Sequence, residues 1–254
     1  RHALARQEFD LHYQVRVSAE TGRPVGMEAL LRWNSPELGA VPPSDFIGVA
    51  EDTGLIVPLG EWVLRTACTQ HAVWRREGLD PGVIGINVSA RQFRQPDLVE
   101  RIVQIVAEAG ARPQDIELEV TESTLMRDPE QASAMMSALR AHGFGIAIDD
   151  FGTGYSSLSH LKRFPATKIK IDRSFVGAID SNADDAAIAA AIVALAGSLS
   201  IQVTAEGVET QGQLSHLSQL SCSEYQGFLF SQPLPGQSMR EILRRGLRLA
   251  AEMG

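Results

Sequence analysis

FGIAIDDFGTGYSSL, residues 144–158, is the stretch on which the reading of this chain turns. Phe144 to Ile148 is a short apolar run, preceded by Gly143 and closed by Asp149 and Asp150, which is the pattern of a buried strand. Gly152 and Gly154 then permit a sharp turn, and Ser156 to Phe164 reads as a helix. Strand, acidic end, loop and helix form a unit that recurs in both directions. Toward the carboxyl end come TKIKID (167–172), IQVTAEGV (201–208) and a weaker strand near CSEYQGFLF (222–230). Toward the amino end come IELEVTES (116–123) and VIGINVS (83–89). Helical stretches are expected at 60–78, 95–110, 128–143, 184–199, 211–220 and 236–253. Pro129 falls in a first turn after Asp128, and Gly78, Gly110 and Gly143 sit where helices should end. At the start of the chain, EFDLHYQVRV (8–17) alternates strictly, with Phe9, Leu11, Tyr13, Val15 and Val17 on one face, as in a half-buried strand. Gly22 and Pro24 break the chain before VGMEALLRW (25–33), so these two segments are expected to form a hairpin.

About eight strands interleaved with helices over 254 residues is the arithmetic of an α/β protein of the (β/α)8 barrel type, although a doubly wound open sheet shares the same local rhythm. No Pro-, Gly- or Ser-rich linker interrupts the alternation, which makes residues 1–254 one domain. The opening RHALARQ looks like part of a short helix and points to a domain within a longer polypeptide. With 44% hydrophobic and 21% charged residues, disorder and fibrous architectures are excluded. A formal net charge of -8, without a Lys/Arg run, argues against duplex nucleic acid as a partner. Cys68 and Cys222 show no metal or disulfide spacing and read as core residues in a reducing, cytoplasmic setting. The longest apolar stretch, Ala186 to Ala196, is well short of the ~20 residues that span a bilayer.

Almost every strand ends in polar groups: Glu28, Asn87, Glu119 with Glu122, Asp149 with Asp150, Lys170 with Asp172, Glu206 with Glu209, and Gln226. In a barrel these ends converge on one face, where active sites of that fold sit. Carboxylates crowded in one mouth repel unless cations sit among them. Carboxylates and an amide oxygen, without His or Cys, suit Mg²⁺ or Mn²⁺ rather than zinc or copper. With Asp149 and Asp150 adjacent, one carboxylate can bridge two ions ~3.5–4 Å apart, the arrangement that activates water for in-line attack on phosphorus. Any one of these acids alone reads as a solvated loop carboxylate; the set does not. Lys170 shares the parity of Lys168 and Asp172, so it faces either the acids or solvent. Arg32, four residues after Glu28, offers a fork for phosphate or a surface salt bridge. Trp33, Trp62 and Trp74 read as packing residues, with Trp33 next to the site. No P-loop or GxGxxG is present, and the six histidines show no ligand spacing.

HYQ (12–14), EALLRW (28–33), NVSARQF (87–93), ELEVTES (117–123), IDDFGTGYSSL (148–158), KIKIDRSFV (168–176), AEGVET (205–210) and QGFLFSQPLP (226–235) occur in order along the chain. In these motifs the chain resembles the EAL-domain family of cyclic-di-GMP phosphodiesterases over nearly its whole length. The resemblance implies a modified TIM (β/α)8 barrel with an antiparallel first strand. It implies that Glu28, Asn87, Glu119 and Asp149 bind one metal, that Asp149 bridges to a second, and that Asp150 binds the second. Glu122 would support that cluster, Lys170 would stabilise the attacking group, and Glu206 would act as general base or second-metal ligand. Glu209 would anchor the 150–158 loop, Asp172 would support Lys170, and Gln14, Leu30, Arg32 and Gln226 would contact the dinucleotide. The implied reaction opens cyclic-di-GMP to linear pGpG with two Mg²⁺ or Mn²⁺ ions, Ca²⁺ being inhibitory. A homodimer, a sensory or GGDEF domain ahead of this one, and a membrane-anchored parent protein are also compatible with it. Val15, Ser223 and Gln232 depart from the usual pattern, but none is at a ligand position. The alternative is a catalytically silent cyclic-di-GMP receptor that signals through partner domains.

Overall fold

The computed structural model describes residues 2–154 and 158–245, with a short helix, α1, at His2–Ala5. The strands are β1 (Phe9–Ser18), β2 (Pro24–Ser35), β3 (Gly39–Val41), β4 (Val83–Asn87), β5 (Ile116–Thr121), β6 (Gly145–Phe151), β7 (Lys168–Ile171), β8 (Gln202–Ala205), β9 (Glu224–Gln226) and β10 (Leu234–Pro235). Eight of them close a barrel in the order β1-β2-β4-β5-β6-β7-β8-β9, with β9 returning to β1. From β2 round to β9 all neighbours are parallel. β1 alone runs antiparallel to both its neighbours. The expected hairpin is therefore the place where the barrel reverses a strand, and closure removes the open-sheet alternative. β3 and β10 pair outside the barrel, on β2 and β1.

Helices wrap the barrel: α2 (Pro43–Thr53), α3 (Ile56–Arg76), α4 (Ala90–Phe93), α5 (Leu98–Glu108), α6 (Glu122–Leu125), α7 (Pro129–Ala141), α8 (Leu158–Leu161), α9 (Arg173–Val176), α10 (Ala183–Ser198), α11 (Gln211–Leu217) and α12 (Gly236–Arg245). Local chemistry sets their ends. Asp128 caps α7 by accepting from the Gln131 amide, and Asn182 caps α10 by accepting from Asp184. Ser89 with Gln92, and Thr210 with Gln213, form capping boxes at α4 and α11. α3 begins at Ile56, ahead of the expected Gly60, because Pro58 is accommodated in the first turn. α2 was hidden in the Pro-rich run before it: Pro43 sits in its first turn and Gly54, at φ 77°, ends it. The expected final helix is seen to Arg245, and its remainder lies outside the described residues, as do Tyr155 to Ser157 of the glycine-bearing loop.

β1 differs from the half-buried strand that alternation predicts, because both its faces are buried. Leu11, Tyr13, Val15 and Val17 face the helix layer, and Gln14 and Arg16 on the other face are 7% and 0% exposed. That polar face points into the barrel, which in this protein is charged where such interiors are usually filled with branched aliphatics. Trp33 joins an aromatic cluster with Phe9 and Phe46 and donates its Nε1–H to Glu8. Cys68 and Cys222 are free and buried, and burial pushes both thiols up to about 12, which leaves them inert core residues. Among the described residues no helix is long and apolar enough to cross a membrane.

Candidate active site

The carboxyl ends of the parallel strands deliver Glu28 from β2, Asn87 from β4, Glu119 from β5, Asp149 from β6 and Lys170 from β7 to one mouth. Glu206 follows β8. The Lys170 ammonium, 1% exposed, stands among four carboxylates: Glu119 Oε2 at 2.5 Å, Glu206 Oε1 at 2.7 Å, Asp149 Oδ1 at 3.2 Å and Glu28 Oε2 at 3.4 Å. Glu28 is braced on both oxygens, by Asn87 Nδ2 at 2.7 Å and by Gln226 Nε2 at 2.7 Å. Gln226 Nε2 also donates to Gln14 Oε1 at 3.1 Å, and Gln14 Nε2 donates to the Ser231 carbonyl at 2.9 Å. The inward face of Lys170 is thus settled by closure of the barrel.

Burial and charge pull the pKa values apart. Burial works against the charge on Lys170, yet Asp149, Glu119, Glu206 and Glu28 lift its pKa well above the ordinary lysine value. Burial raises Glu28 too, but Lys170, Gln226 and Asn87 outweigh it and the net shift is downward. Glu119 is raised well above the carboxylate range by burial, with Glu28 and Asp149 repelling its charge. Glu206 is pushed up to about 8 by burial, against the pull of Lys170. Asp150, a non-glycine residue at positive φ (52°), is raised to about 6 by burial and then by Asp149 and Asp172. One ammonium cannot neutralise all of these acids.

The remaining expected residues fall around this centre. Glu122 is 1% exposed, and its Oε2 accepts from the Gly152 amide at 2.8 Å, which pins the start of the glycine-bearing loop. A Cβ on Gly154 would lie 2.8 Å from Glu122 Oε1, so the loop passes close over this carboxylate. Asp172 caps α9, accepting from the Ser174 amide at 3.0 Å. Glu209 is exposed, and its backbone amide donates to Gln213 Oε1. Leu30 and Arg32 follow Glu28 on the same face of β2, and Arg32 donates to the adjacent Leu31 carbonyl at 2.9 Å.

A second charged tier lies one pleat below, and sequence reasoning missed it. Arg16, Glu117, Lys168 and Glu224 form a closed quartet beneath the mouth. Lys168 Nζ reaches Glu117 Oε2 at 3.1 Å and Glu224 Oε2 at 2.9 Å, and Arg16 Nη1 pairs with Glu117. The signal was present as parity: Glu117, Lys168 and Glu224 each precede a mouth residue by two positions. Arg16 follows Gln14 by two, since β1 runs the other way. The tier also needs small neighbours. A Cβ on Gly85 would stand 1.9 Å from Glu119 Oε1, and one on Gly26 would stand 2.4 Å from the Val83 carbonyl. Gly85→Ala is therefore expected to lower the unfolding free energy by about 1–3 kcal/mol in urea titrations; a wild-type midpoint would mean that Glu119 swings aside freely.

Glu117 is expected to make the fold sensitive to acid. Burial alone would raise its pKa, but Arg16 and Lys168 bring it down to about 2 from an ordinary 4.5. The folded state then binds fewer protons than the unfolded chain between those values, so stability falls with falling pH. The contribution of Glu117, about 3 kcal/mol, is complete above pH 4.5 and lost as the pH drops through 2. Wild type should exceed Glu117→Gln in stability at pH 7, with the gap closing toward pH 2. A gap independent of pH would contradict this.

A closed (β/α)8-type barrel with one reversed strand and its acids at the carboxyl ends of the strands defines the TIM-like class, whose sites are built at that face. Within that class the chain belongs to the EAL domain family, whose model matches residues 1–233. It is 46% identical over 239 residues to the bifunctional diguanylate cyclase/cyclic di-GMP phosphodiesterase MucR of Pseudomonas aeruginosa, covering 94% of this chain and 35% of that protein. The cyclic di-GMP phosphodiesterase PdeR of Escherichia coli is 40% identical over 250 residues, 98% of this chain and 38% of that protein. The chain thus spans about a third of the length of these relatives. Among solved structures, the PaMucR phosphodiesterase in complex with c-di-GMP superposes with a TM-score of 0.91 at 46% identity, covering 94% of this chain and 96% of the other. The EAL enzyme Bd1971, bound to cAMP and cyclic-di-GMP, gives 0.90 at 34% identity, covering 95% and 66%.

Proposed function

We propose that this chain hydrolyses cyclic di-GMP to linear 5′-pGpG at the mouth of its barrel with two Mg²⁺ or Mn²⁺ ions. The observation that carries the reading is the convergence of Glu28, Glu119, Asp149 and Glu206 on Lys170. Among the described residues these acids do not form a ready-made metal cage, because the ammonium stands at their centre. The donor set nonetheless fits a hard cation: Glu119 Oε1 and Asp149 Oδ1 are buried oxygens that accept no hydrogen bond. Relatives named cyclic di-GMP phosphodiesterases, and a neighbour solved with c-di-GMP, support the substrate.

In this reading Glu28, Asn87, Glu119 and Asp149 would hold one ion, and Asp149 and Asp150 would hold the second. Bound there, the ions supply a nucleophile from water at neutral pH and neutralise charge on the phosphate. Asn87 presents its Oδ1 because its amide nitrogen is committed to Glu28. Lys170, freed from part of its carboxylate shell, stabilises charge at the attacked phosphorus. Glu206 would take the proton of the attacking water or serve as a further ligand of the second ion. Gln14, Leu30, Arg32 and Gln226 orient the dinucleotide, Glu122 and Glu209 hold the 150–158 loop, and Asp172 supports Lys170 through Asp150. A homodimer is part of the same proposal, supported by the exposed apolar residues Ala187, Ile188, Ala191 and Ala194 along α10. Sedimentation showing only monomer across the assay range would remove it.

The test is chromatographic. Cyclic di-GMP incubated with the purified chain in Mg²⁺ or Mn²⁺ is expected to give pGpG, and neither chelator nor Ca²⁺ should support it. Tight binding without product in any metal would instead make the chain a receptor.

A further inference from the structure

Arg16 is the largest charged side chain in the barrel with no exposure at all, and nothing in the proposed reaction uses it. Its guanidinium lies between the two tiers. Below, Nη1 pairs with Glu117 and Nε stands 3.8 Å from Glu224 Oε2. To the side, Nη2 donates to the Val83 carbonyl at 3.1 Å. Above, Nη1 stands 3.6 Å from Glu119 Oε1, the oxygen that accepts no hydrogen bond. The other oxygen of Glu119 is held by Lys170 at 2.5 Å. A buried carboxylate is thus gripped by an ammonium on one oxygen and faced on the other by a single guanidinium nitrogen of Arg16. Gly26 and Gly85 keep the space clear, since a Cβ on the first would come within 3.1 Å of Arg16 Nη2 and on the second within 1.9 Å of Glu119 Oε1.

Lys168 and Glu224 explain why the fork stays put. With Glu117 they balance Arg16, two positive charges against two negative, so the floor is neutral as a unit and anchored on four strands, β1, β5, β7 and β9. A neutral floor has no net pull on a cation at the mouth, and its effect there is directional, through the single contact at Glu119.

We infer that Arg16 is a positioning residue that aims the Glu119 carboxylate at the divalent cation from beneath the site. The inference rests on the hydrolase reading above. It explains why the interior beneath the mouth is ionic, although aliphatic packing would give comparable or better stability.

Two variants separate positioning from mere folding. Arg16→Met with Glu117→Gln removes one charge of each sign and leaves Lys168 against Glu224, so the floor stays neutral. Arg16→Lys keeps the charge and loses the fork. In each, Mn²⁺ binding is measured by calorimetry, turnover of cyclic di-GMP by kcat and KM, and thermal unfolding in chelator. The double variant is expected to unfold within about 5 °C of wild type. Its Mn²⁺ affinity and kcat should each fall about 10- to 100-fold, with KM unchanged. Arg16→Lys should show the same pattern to a smaller degree, about tenfold. Wild-type Mn²⁺ affinity in either folded variant overturns the inference while leaving the hydrolase reading intact. Failure of the wild-type chain itself to bind Mn²⁺ overturns both.

Discussion

Lys170→Met is expected to lower turnover at least ~10²-fold and, in chelator, to loosen the whole domain. The ammonium is the common partner of Glu28, Glu119, Asp149 and Glu206, and it is buried with them. Breaking a buried ion pair from one side leaves an uncompensated charge and costs about 3–5 kcal/mol. Part of that loss will be avoided because Glu119 and Glu206 already have raised pKa values and take up protons more readily than ordinary carboxylates. Adding Mg²⁺ should recover stability, since a divalent cation supplies the missing countercharge to the same oxygens. Turnover should remain at least ~10²-fold down whatever the metal concentration, because charge stabilisation at phosphorus is lost. Urea titrations with and without Mg²⁺, beside the pGpG assay, read both effects. A variant with wild-type stability in chelator would show that the four carboxylates do not depend on this ammonium.

Glu28→Ala is expected to reduce turnover by at least ~10³-fold while the barrel stays folded. Glu28 joins three partners, Asn87 Nδ2, Gln226 Nε2 and Lys170 Nζ, two of them neutral amides, and Gln226 Nε2 keeps Gln14 Oε1 as an acceptor. Its removal also takes away a negative charge that raises the Glu119 pKa. The stability change should therefore be smaller than for Lys170→Met, about 1–2 kcal/mol. Cyclic di-GMP binding in Ca²⁺ should weaken, since Gln226 loses one of its two acceptors. Retained metal-dependent turnover would sink the ligand role assigned to Glu28.

Much of the site was legible because period-two alternation carries polar groups in fixed steps along a strand. Glu28, Glu119, Asp149 and Lys170 stand out at the ends of apolar runs, and the structure brings all four together with Glu206. Glu122 stood out in the same way, and its hold on the Gly152 amide is visible only in three dimensions, since the partners are thirty residues apart. Arg16 was not legible. In EFDLHYQVRV it occupies the face opposite Val15 and Val17, which on pattern alone belongs to solvent. Glu117, Lys168 and Glu224 share that ambiguity. α2 has no counterpart among the expected helices, since two consecutive prolines mask its start, although proline is well suited to a first helical turn.

The sequence by itself determined the order of strands and helices, the helix start after Asp128, the hairpin at the first two strands, and which polar residues share a face. Tertiary structure alone decided which face is inside. Alternation specifies that two sets of side chains point opposite ways, but it assigns neither set to the core. That assignment comes when β9 pairs with β1, more than two hundred residues away, and the sheet closes. Closure surrounds the polar face with strands, so the charges on it must satisfy one another. Arg16, Glu117, Lys168 and Glu224 do so as a neutral floor, and the mouth above is left with more carboxylate than its one ammonium can balance.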